Sequence, residues 1–231
     1  MFLLVPSPLS QKTPKLPVLA ADLPTIQCCT TWIVENAKPA RAALNIFSMS
    51  TPIRELKIHE IKDLTPEEIK NFIQKSKQGE LIGVMSDAGC PGIADPGAHI
   101  VAQAHQAGCA VRPLVGPSSI LLALMGSGLN GQRFTFHGYP PVETRERDAW
   151  IKQTEHASKQ AKCTQISIET PFRNEKLIEA LTKTLEEKTR LCVAWDLTGD
   201  EECIQTKSIA QWRKNPPKPS KFPCLFLWLG E

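Results

Sequence analysis

Short apolar runs alternate with helical segments along this chain, and that alternation constrains its fold more than any other feature. The clearest unit is the run LIGVM (81–85), the loop SDAGCPGIADPG (86–97), a helical segment and the run AVRPL (110–114). Apolar runs separated by helices are typical of parallel strands joined by crossover helices. The sequence therefore predicts an α/β fold.

The chain changes character at VGPSSILLALMGSG (115–128), an apolar segment of small residues that opens with Gly-Pro-Ser-Ser. Such a segment suits a buried helix between two domains, so we expect an α/β domain over 1–115 and a second over 116–231. In the second half, the run ECIQTKS follows RLCVAWDL after a short turn. That spacing favours antiparallel neighbours there.

One helix has clear end signals in the sequence. Thr65 is a natural N-cap, Pro66 suits the first helical position, and Glu68 completes a capping box. Gly79 is a typical C-terminal stop. Upstream, CCTTWIVEN (28–36) predicts a strand because it is rich in β-branched residues.

Charge and cysteine content leave the function class open but favour a reducing environment. The formal net charge is +3, which permits an anionic partner without requiring one. The eight cysteines have no Cys-x-x-Cys spacing, and Cys109, Cys192 and Cys224 stand in apolar runs that predict burial. We therefore expect a cytoplasmic protein without disulfides or a metal site. The start MFLLVPSPLS lacks a basic segment, and no apolar stretch approaches the ~20 residues of a membrane span.

Four loops after predicted strands are rich in Gly, Pro, Ser or Asn: PSPLS, VENAKPAR, SDAGCPGIADPG and VGPSS. Loops at the carboxyl ends of parallel strands form ligand crevices. Asp87 stands at such an end, where its carboxylate is expected either to bind a hydroxyl or a cationic group or to cap a turn, whereas Asp95 is expected to cap the following helix. For His99 and His105 we expect solvated or capping roles rather than metal ligation.

Familiar nucleotide and hydrolase motifs are absent from the sequence. There is no Gly-x-x-x-x-Gly-Lys-Ser/Thr loop and no Gly-x-Gly-x-x-Gly after the first strand. The pair Ser118-Ser119 has no nucleophile elbow around it. A nucleoside triphosphatase, a Rossmann dehydrogenase and a serine hydrolase are therefore disfavoured.

Taken together, PSPLS, SDAGCPGIADPG, PLVGPSSILLALMGSGL and FTFHGYPP resemble the tetrapyrrole methylase family of S-adenosylmethionine-dependent methyltransferases. Their order and spacing, with ISIETPFRNEKL and AWDLT, are most similar to its branch of small-subunit ribosomal RNA ribose 2′-O-methyltransferases. The resemblance covers residues 2–230, and SDAGCPGIADPG is its most specific part.

The resemblance implies two α/β domains with S-adenosylmethionine in a cleft between them, a homodimer, and RNA as a possible partner. Pro8 and Leu9 would form the floor beneath the cofactor, and Asp87 would hold its amino acid or ribose portion. By position, the implied cofactor-binding residues are Pro8, Leu9, Asp87, Ala88, Gly89, Pro91, Gly92, Ile93, Ser118, Ser119, Ile168, Glu169, Leu197 and Pro223.

The sequence departs from that branch in three places. Ser10-Gln11 replaces a Gly-Asn pair, GDEECIQ replaces a segment with Lys and aromatic residues, and the helical C-terminal extension of many members is absent. Three hypotheses therefore remain open. The chain methylates RNA, it methylates a small molecule, or it binds the cofactor without transferase activity.

No catalytic residue is assigned from the sequence. If a hydroxyl is the acceptor, a group must take its proton, and Glu35 and Glu169 are the candidates. Either carboxylate is equally compatible with another role. Four basic residues are expected either to contact phosphate or to lie on solvated helix faces: Arg41, Arg145, Lys152 and Arg173.

Overall fold

The computed structural model describes residues 1–10, 12–219 and 221–231. The chain forms two compact units, Met1–Ser118 and Ser119–Glu231. Each unit contains one five-stranded sheet with helices, as the predicted α/β class requires. The domain boundary at 115/116 stays a prediction.

The first unit is built on a parallel sheet in the order β3-β2-β4-β1-β5. Its strands are β1 Phe2–Leu4, β2 Thr31–Val34, β3 Lys57–Glu60, β4 Ile82–Met85 and β5 Val111–Pro113, and its helices are α1 Leu23–Gln27, α2 Ala37–Ile46, α3 Pro66–Lys77 and α4 Ala98–Gln106. Short 3₁₀ turns cover Ala20–Asp22, Ile53–Glu55 and Ile61–Asp63. The strands β1, β2 and β4 are almost wholly buried, which explains their continuous apolar sequences.

The local predictions for α3 are confirmed. Thr65 accepts a hydrogen bond from the Glu68 backbone nitrogen, the Glu68 side chain accepts one from the Thr65 backbone nitrogen, and Pro66 begins the helix. Gly79 follows with φ of +97°, a left-handed conformation that favours glycine. The predicted strand 28–36 is too long, since Cys28 caps the C-terminus of α1 and only Thr31–Val34 are in the strand.

The second unit has a mixed sheet in the order β6-β7-β10-β8-β9. Its elements are α5 Ser119–Ser127, β6 Phe134–Phe136, α6 Thr144–Ala161, β7 Thr164–Glu169, α7 Asn174–Thr184, β8 Arg190–Trp195, β9 Cys203–Ser208, α8 Ile209–Lys214 and β10 Cys224–Leu229. The antiparallel pairing of β8 with β9 is confirmed. The last strand, β10, inserts between β7 and β8 and is antiparallel to both.

Three cysteines behave as the sequence predicts. Cys109, Cys192 and Cys224 are buried, and all eight cysteines are free thiols. Burial raises the pKa of Cys192 to about 11 and that of Cys224 to about 12. Within the described residues, no helix is long and apolar enough to span a membrane.

Candidate functional site

The loops after β1, β4 and β5 converge at the carboxyl edge of the parallel sheet. Ser7 and Gly89 exchange two backbone hydrogen bonds, with N···O distances of 2.9 and 3.1 Å. The Ser7 hydroxyl also donates to the Ser86 carbonyl over 2.7 Å. The loop PSPLS is therefore fixed to SDAGCPGIADPG by its backbone as well as by a side chain.

The loop after β5, VGPSS, packs against these two loops through close contacts at Gly89, Cys90 and Gly116. A Cβ added at Gly89 would lie 3.1 Å from Leu9 Cδ2 and 3.4 Å from the Pro117 carbonyl oxygen, and Gly89 has φ of +73°. The Cys90 thiol donates to the Pro117 carbonyl over 3.3 Å. At Gly116, a Cβ would clash with the Pro6 ring at 2.3 Å. These contacts explain why the loops are rich in small residues.

Asp87 is the central polar residue of this edge. Asn36 donates from Nδ2 to Asp87 Oδ2 over 2.7 Å, and the Asp87 backbone nitrogen donates to Glu35 Oε2 over 3.0 Å. The other carboxylate oxygen, Asp87 Oδ1, is buried and has no hydrogen-bond partner among the described residues. A buried carboxylate oxygen without a donor carries a desolvation cost, which a bound hydroxyl or ammonium group would relieve.

Three carboxylates lie close enough to influence one another electrostatically. Burial raises the pKa of Glu35 above its ordinary value. The hydrogen bond from the Asp87 backbone nitrogen lowers this pKa, whereas the negative charges of Asp87 and Asp95 raise it. Burial likewise raises the pKa of Asp95, with a smaller contribution from Asp87. This edge of the sheet is therefore suited to a cationic ligand group.

Asp95 does not cap the following helix, so that prediction is wrong. The N-cap of α4 is Gly97, which has no side-chain capping bond. Asp95 instead accepts hydrogen bonds from the backbone nitrogens of Gly92 and Gly97 and closes the loop on itself. Gly92 has φ of +81°, so a side chain there would strain this turn.

The remaining loop residues differ in exposure. Pro91 is buried, Ala88 and Ile93 are exposed, and Pro8 is partly buried. Ser118 ends the first unit. The departure at Ser10-Gln11 falls in part on Gln11, which lies outside the described residues, while Ser10 is buried.

The predicted residues on or beside the strands of the second unit lie at one edge of its own sheet. Glu169 and Trp195, at the ends of β7 and β8, both lie opposite Cys224, the first residue of β10. Ile168 and Pro223 directly adjoin these positions, Leu197 lies two residues after Trp195, and Ser119 begins α5. Leu197 is buried, whereas Pro223 is exposed.

The buried carboxylate of Glu169 forms an ion pair with the partly exposed guanidinium of Arg173. Arg173 Nη2 lies 2.8 Å from Glu169 Oε2 and donates to the Pro140 carbonyl over 3.0 Å. The other Glu169 oxygen accepts from the Thr170 backbone nitrogen over 2.7 Å. The guanidinium therefore supports the turn after β7, and Arg173 is the N-cap of α7 rather than part of a solvated helix face. The expected phosphate contact stays a prediction.

Sequence reasoning missed Asn36, Ser7 and Ser86. Asn36 was visible as a polar residue directly after β2, at the same sheet edge as Asp87. The strand order that makes β2 and β4 neighbours was not predicted, however, so the pairing of Asn36 with Asp87 was not either.

A pocket of about 360 Å³ opens beside Asp87 within the first unit. It is formed by the loop after β1 and by α2, and its lining includes Pro8, Ser10, Lys38, Ala42 and Ile46. In the described part of the chain, no group of three or more His, Cys, Asp or Glu residues is placed to hold a metal ion.

Known structures share this fold at low sequence identity. A conserved hypothetical protein of Aeropyrum pernix superposes with a TM-score of 0.60 at 14% identity, covering 97% of this chain and 83% of that one. The methyltransferase CobJ superposes with a TM-score of 0.57 at 15% identity, covering 91% of this chain and 87% of its own. The fold is that of the tetrapyrrole methylases.

Curated relatives extend the likeness to sequence. No model of a known protein family matches the chain. Two proteins named ribosomal RNA small subunit methyltransferase I are each 30% identical to it. The one from Vibrio cholerae aligns over 77% of this chain and 59% of its own length, and the one from Synechocystis sp. over 84% and 68%. This chain thus spans about three fifths to two thirds of the length of these relatives, and it belongs to the ribosomal RNA small subunit methyltransferase I family of tetrapyrrole methylases.

Proposed function

We propose that this chain is an S-adenosylmethionine-dependent methyltransferase that modifies ribosomal RNA at a ribose 2′-hydroxyl. The observation that carries the proposal is the convergence of three strand-end loops around Asp87, in a chain of this family. Because the chain spans only part of its relatives' length, their named activity supports this proposal without being transferred outright.

The residues around Asp87 fit S-adenosylmethionine chemically. The cofactor carries a sulfonium, an ammonium group and ribose hydroxyls, and all are stabilised by a carboxylate. Asp87 Oδ1 is buried without a donor among the described residues, and the charges of Asp87 and Asp95 both act on Glu35. A cationic ligand would supply the missing donor and reduce the repulsion among these carboxylates.

The same assignment gives roles to the small residues. Gly89 and its neighbour Ala88 would let the ligand approach the backbone, with Leu9 and Pro8 beneath it and Pro91 to Ile93 as a side wall. Ser118 and Ser119, at the start of α5, would bind the cofactor as well. From the second unit, we propose Ile168, Glu169, Leu197 and Pro223 as further cofactor-pocket residues, as the family resemblance implies.

Positioning is the main task of the protein in this reaction. When bound, the cofactor would supply a methyl group on a positively charged sulfur, and the sulfur would depart as a neutral thioether. Holding donor and acceptor in line is worth about 7–11 kcal/mol in well-oriented cases. Of the two candidate proton acceptors, Glu35 is favoured, because burial raises its pKa and Glu169 is held by Arg173 and Thr170.

Calorimetry and methyl transfer test the proposal together. We expect micromolar binding of S-adenosylmethionine and transfer of labelled methyl groups to small ribosomal subunits or their RNA. A ribose 2′-O-methyl group blocks alkaline cleavage at the adjacent phosphate, so the label should appear in alkali-stable dinucleotides. Label in a small-molecule extract alone would indicate a small-molecule methylase. Binding without transfer to any pool would indicate a cofactor-binding protein, and no binding would refute the proposal.

A homodimer and a cytoplasmic location, which the family resemblance and the free thiols favour, stay predictions. Analytical ultracentrifugation at micromolar concentration tests the first. Fractionation of cells that express the chain tests the second.

A further inference from the structure

The pocket beside Asp87 is lined partly by residues that the cofactor assignment does not use. Its volume of about 360 Å³ lies within the range of about 300–1,000 Å³ typical of small-molecule sites. Pro8 and Asp87, which line it, belong to the proposed cofactor loops, whereas the lining residues on α2 have no role in that assignment. The pocket thus extends from the proposed donor site toward α2.

The walls of this pocket are apolar and relatively rigid. Pro14 and Pro39 contribute rings, and Ala42 and Ile46 contribute side chains from successive turns of α2. Proline has few degrees of freedom to lose on binding, so a flat ligand would be held at small entropic cost. An aromatic heterocycle matches such walls through its apolar faces.

The polar groups of the pocket indicate the charge of its ligand. Lys38, in the first turn of α2, lines the pocket and is exposed. No ion pair of Lys38 is present among the described residues. The N-terminal end of a helix also favours an anion nearby. Asp87 also lines the pocket and belongs to the proposed donor site, so an anionic group is expected at Lys38 and a neutral one near Asp87.

We propose that this pocket binds one unpaired nucleotide of the RNA acceptor, with its base against the prolines and α2 and its phosphate at Lys38. The inference rests on the proposed function and names the acceptor subsite of that reaction. A methyl acceptor has to lie directly beside the donor, and this pocket adjoins the proposed cofactor residues Pro8 and Asp87. Proteins that read RNA typically take up single unpaired bases on apolar or aromatic surfaces.

A pair of tryptophan substitutions on α2 tests the proposal. Ala42→Trp fills the pocket from an exposed position, so the fold should tolerate it. Asn45→Trp adds the same side chain to another exposed position of α2, outside the pocket lining. We expect Ala42→Trp to keep its affinity for S-adenosylmethionine within twofold and to lower kcat/KM for RNA at least tenfold. Asn45→Trp should change both by less than twofold.

Lys38→Ala gives a second readout. Losing one phosphate contact should raise KM for RNA and reduce the slope of log KM against log salt by about 0.7–1. The matched variant Lys57→Ala removes an exposed cation from β3 and should leave the slope unchanged. An unchanged slope in Lys38→Ala would contradict the phosphate assignment.

The outcomes separate the pocket from the proposed function. If Ala42→Trp methylates RNA at the wild-type rate, the pocket proposal is overturned while the transferase stands. If the wild-type chain transfers no methyl group, the proposed function fails, and saturation-transfer NMR with the four ribonucleoside 5′-monophosphates at millimolar concentration decides the pocket alone. A signal that Ala42→Trp removes would support a nucleotide site. No signal, or an equal signal in Ala42→Trp, would refute it.

Discussion

Asn36 donates a hydrogen bond from Nδ2 to Asp87 Oδ2 over 2.7 Å and so joins the carboxyl ends of β2 and β4. The bond fixes the orientation of the Asp87 carboxylate and leaves Oδ1 buried without a donor among the described residues. A side chain held in this way is preorganised for a ligand, because binding need not order it.

Asp87→Asn should weaken binding of S-adenosylmethionine by roughly 10- to 100-fold. A hydrogen bond to a charged group is worth about 1.5–3 kcal/mol, and the substitution removes the charge while keeping the size. Isothermal calorimetry at pH 7 measures the change. Asp63→Asn, at an exposed aspartate of the same unit, is the matched control and should bind as the wild type does. Equal affinity of the two variants would remove Asp87 from the cofactor site.

The affinity for S-adenosylmethionine should rise with pH above about 4.5. Burial raises the pKa of Glu35 from its ordinary 4.5 and that of Asp95 from 3.8, so the free protein retains protons above those values. A cationic ligand favours the deprotonated carboxylates, so binding releases protons in this window. Calorimetry in two buffers of different ionisation enthalpy measures the release.

S-adenosylhomocysteine is the control for that linkage, because it lacks the sulfonium charge. Its affinity should change less over the same pH range. An affinity for S-adenosylmethionine that is flat or falls between pH 4.5 and 7 would contradict the role of the carboxylates.

Arg173→Ala should destabilise the second unit. Glu169 is 2% exposed, and removing Arg173 leaves a buried carboxylate whose remaining donor among the described residues is the Thr170 backbone nitrogen. Breaking a buried pair costs roughly 3–5 kcal/mol, and the partial exposure of Arg173 lowers our expectation to about 2–3 kcal/mol. Urea unfolding followed by tryptophan fluorescence reports on this unit, which contains Trp150, Trp195, Trp212 and Trp228.

Lys176→Ala is the matched control, since it removes an exposed cation from the first turn of α7. Its effect should stay within about 0.5 kcal/mol. If both variants unfold at the same urea concentration, the Glu169–Arg173 pair does not stabilise the unit.

Gly83→Ala should destabilise the first unit by about 2–3 kcal/mol. A Cβ at this position of β4 would lie 2.3–2.8 Å from three carbons of the Trp32 ring. Trp32 is fully buried and donates from Nε1 to the Cys29 carbonyl over 3.1 Å, so it has little freedom to move. Differential scanning calorimetry measures the loss. Gly131→Ala, where a Cβ would meet open space, should be nearly neutral.

Local features of the fold were predictable because neighbouring residues determine them. The start of α3 depends on Thr65 and Glu68, which contact each other within one turn. The parallel character of the first sheet follows from apolar runs that are separated by helices. Burial of Cys109, Cys192 and Cys224 follows from the apolar runs around them.

Asp95 shows where local reasoning failed. A short acidic residue just before a helix is typical of an N-cap, and the same carboxylate can equally well bind nitrogens of its own loop. In this loop the left-handed turn at Gly92 brings a backbone nitrogen to Asp95, so the side chain closes the loop. The choice depends on backbone angles that the residue types alone leave open.

The sequence by itself determined the α/β class, the strand-to-helix loops and the candidate role of Asp87, because periodicity and turn residues act over a few positions. Only the tertiary structure decided the strand order that pairs Asn36 with Asp87, the insertion of β10 between β7 and β8, and the pocket beside α2. These features join residues far apart in the chain. Their contacts depend on how whole elements pack, and no local pattern encodes that packing.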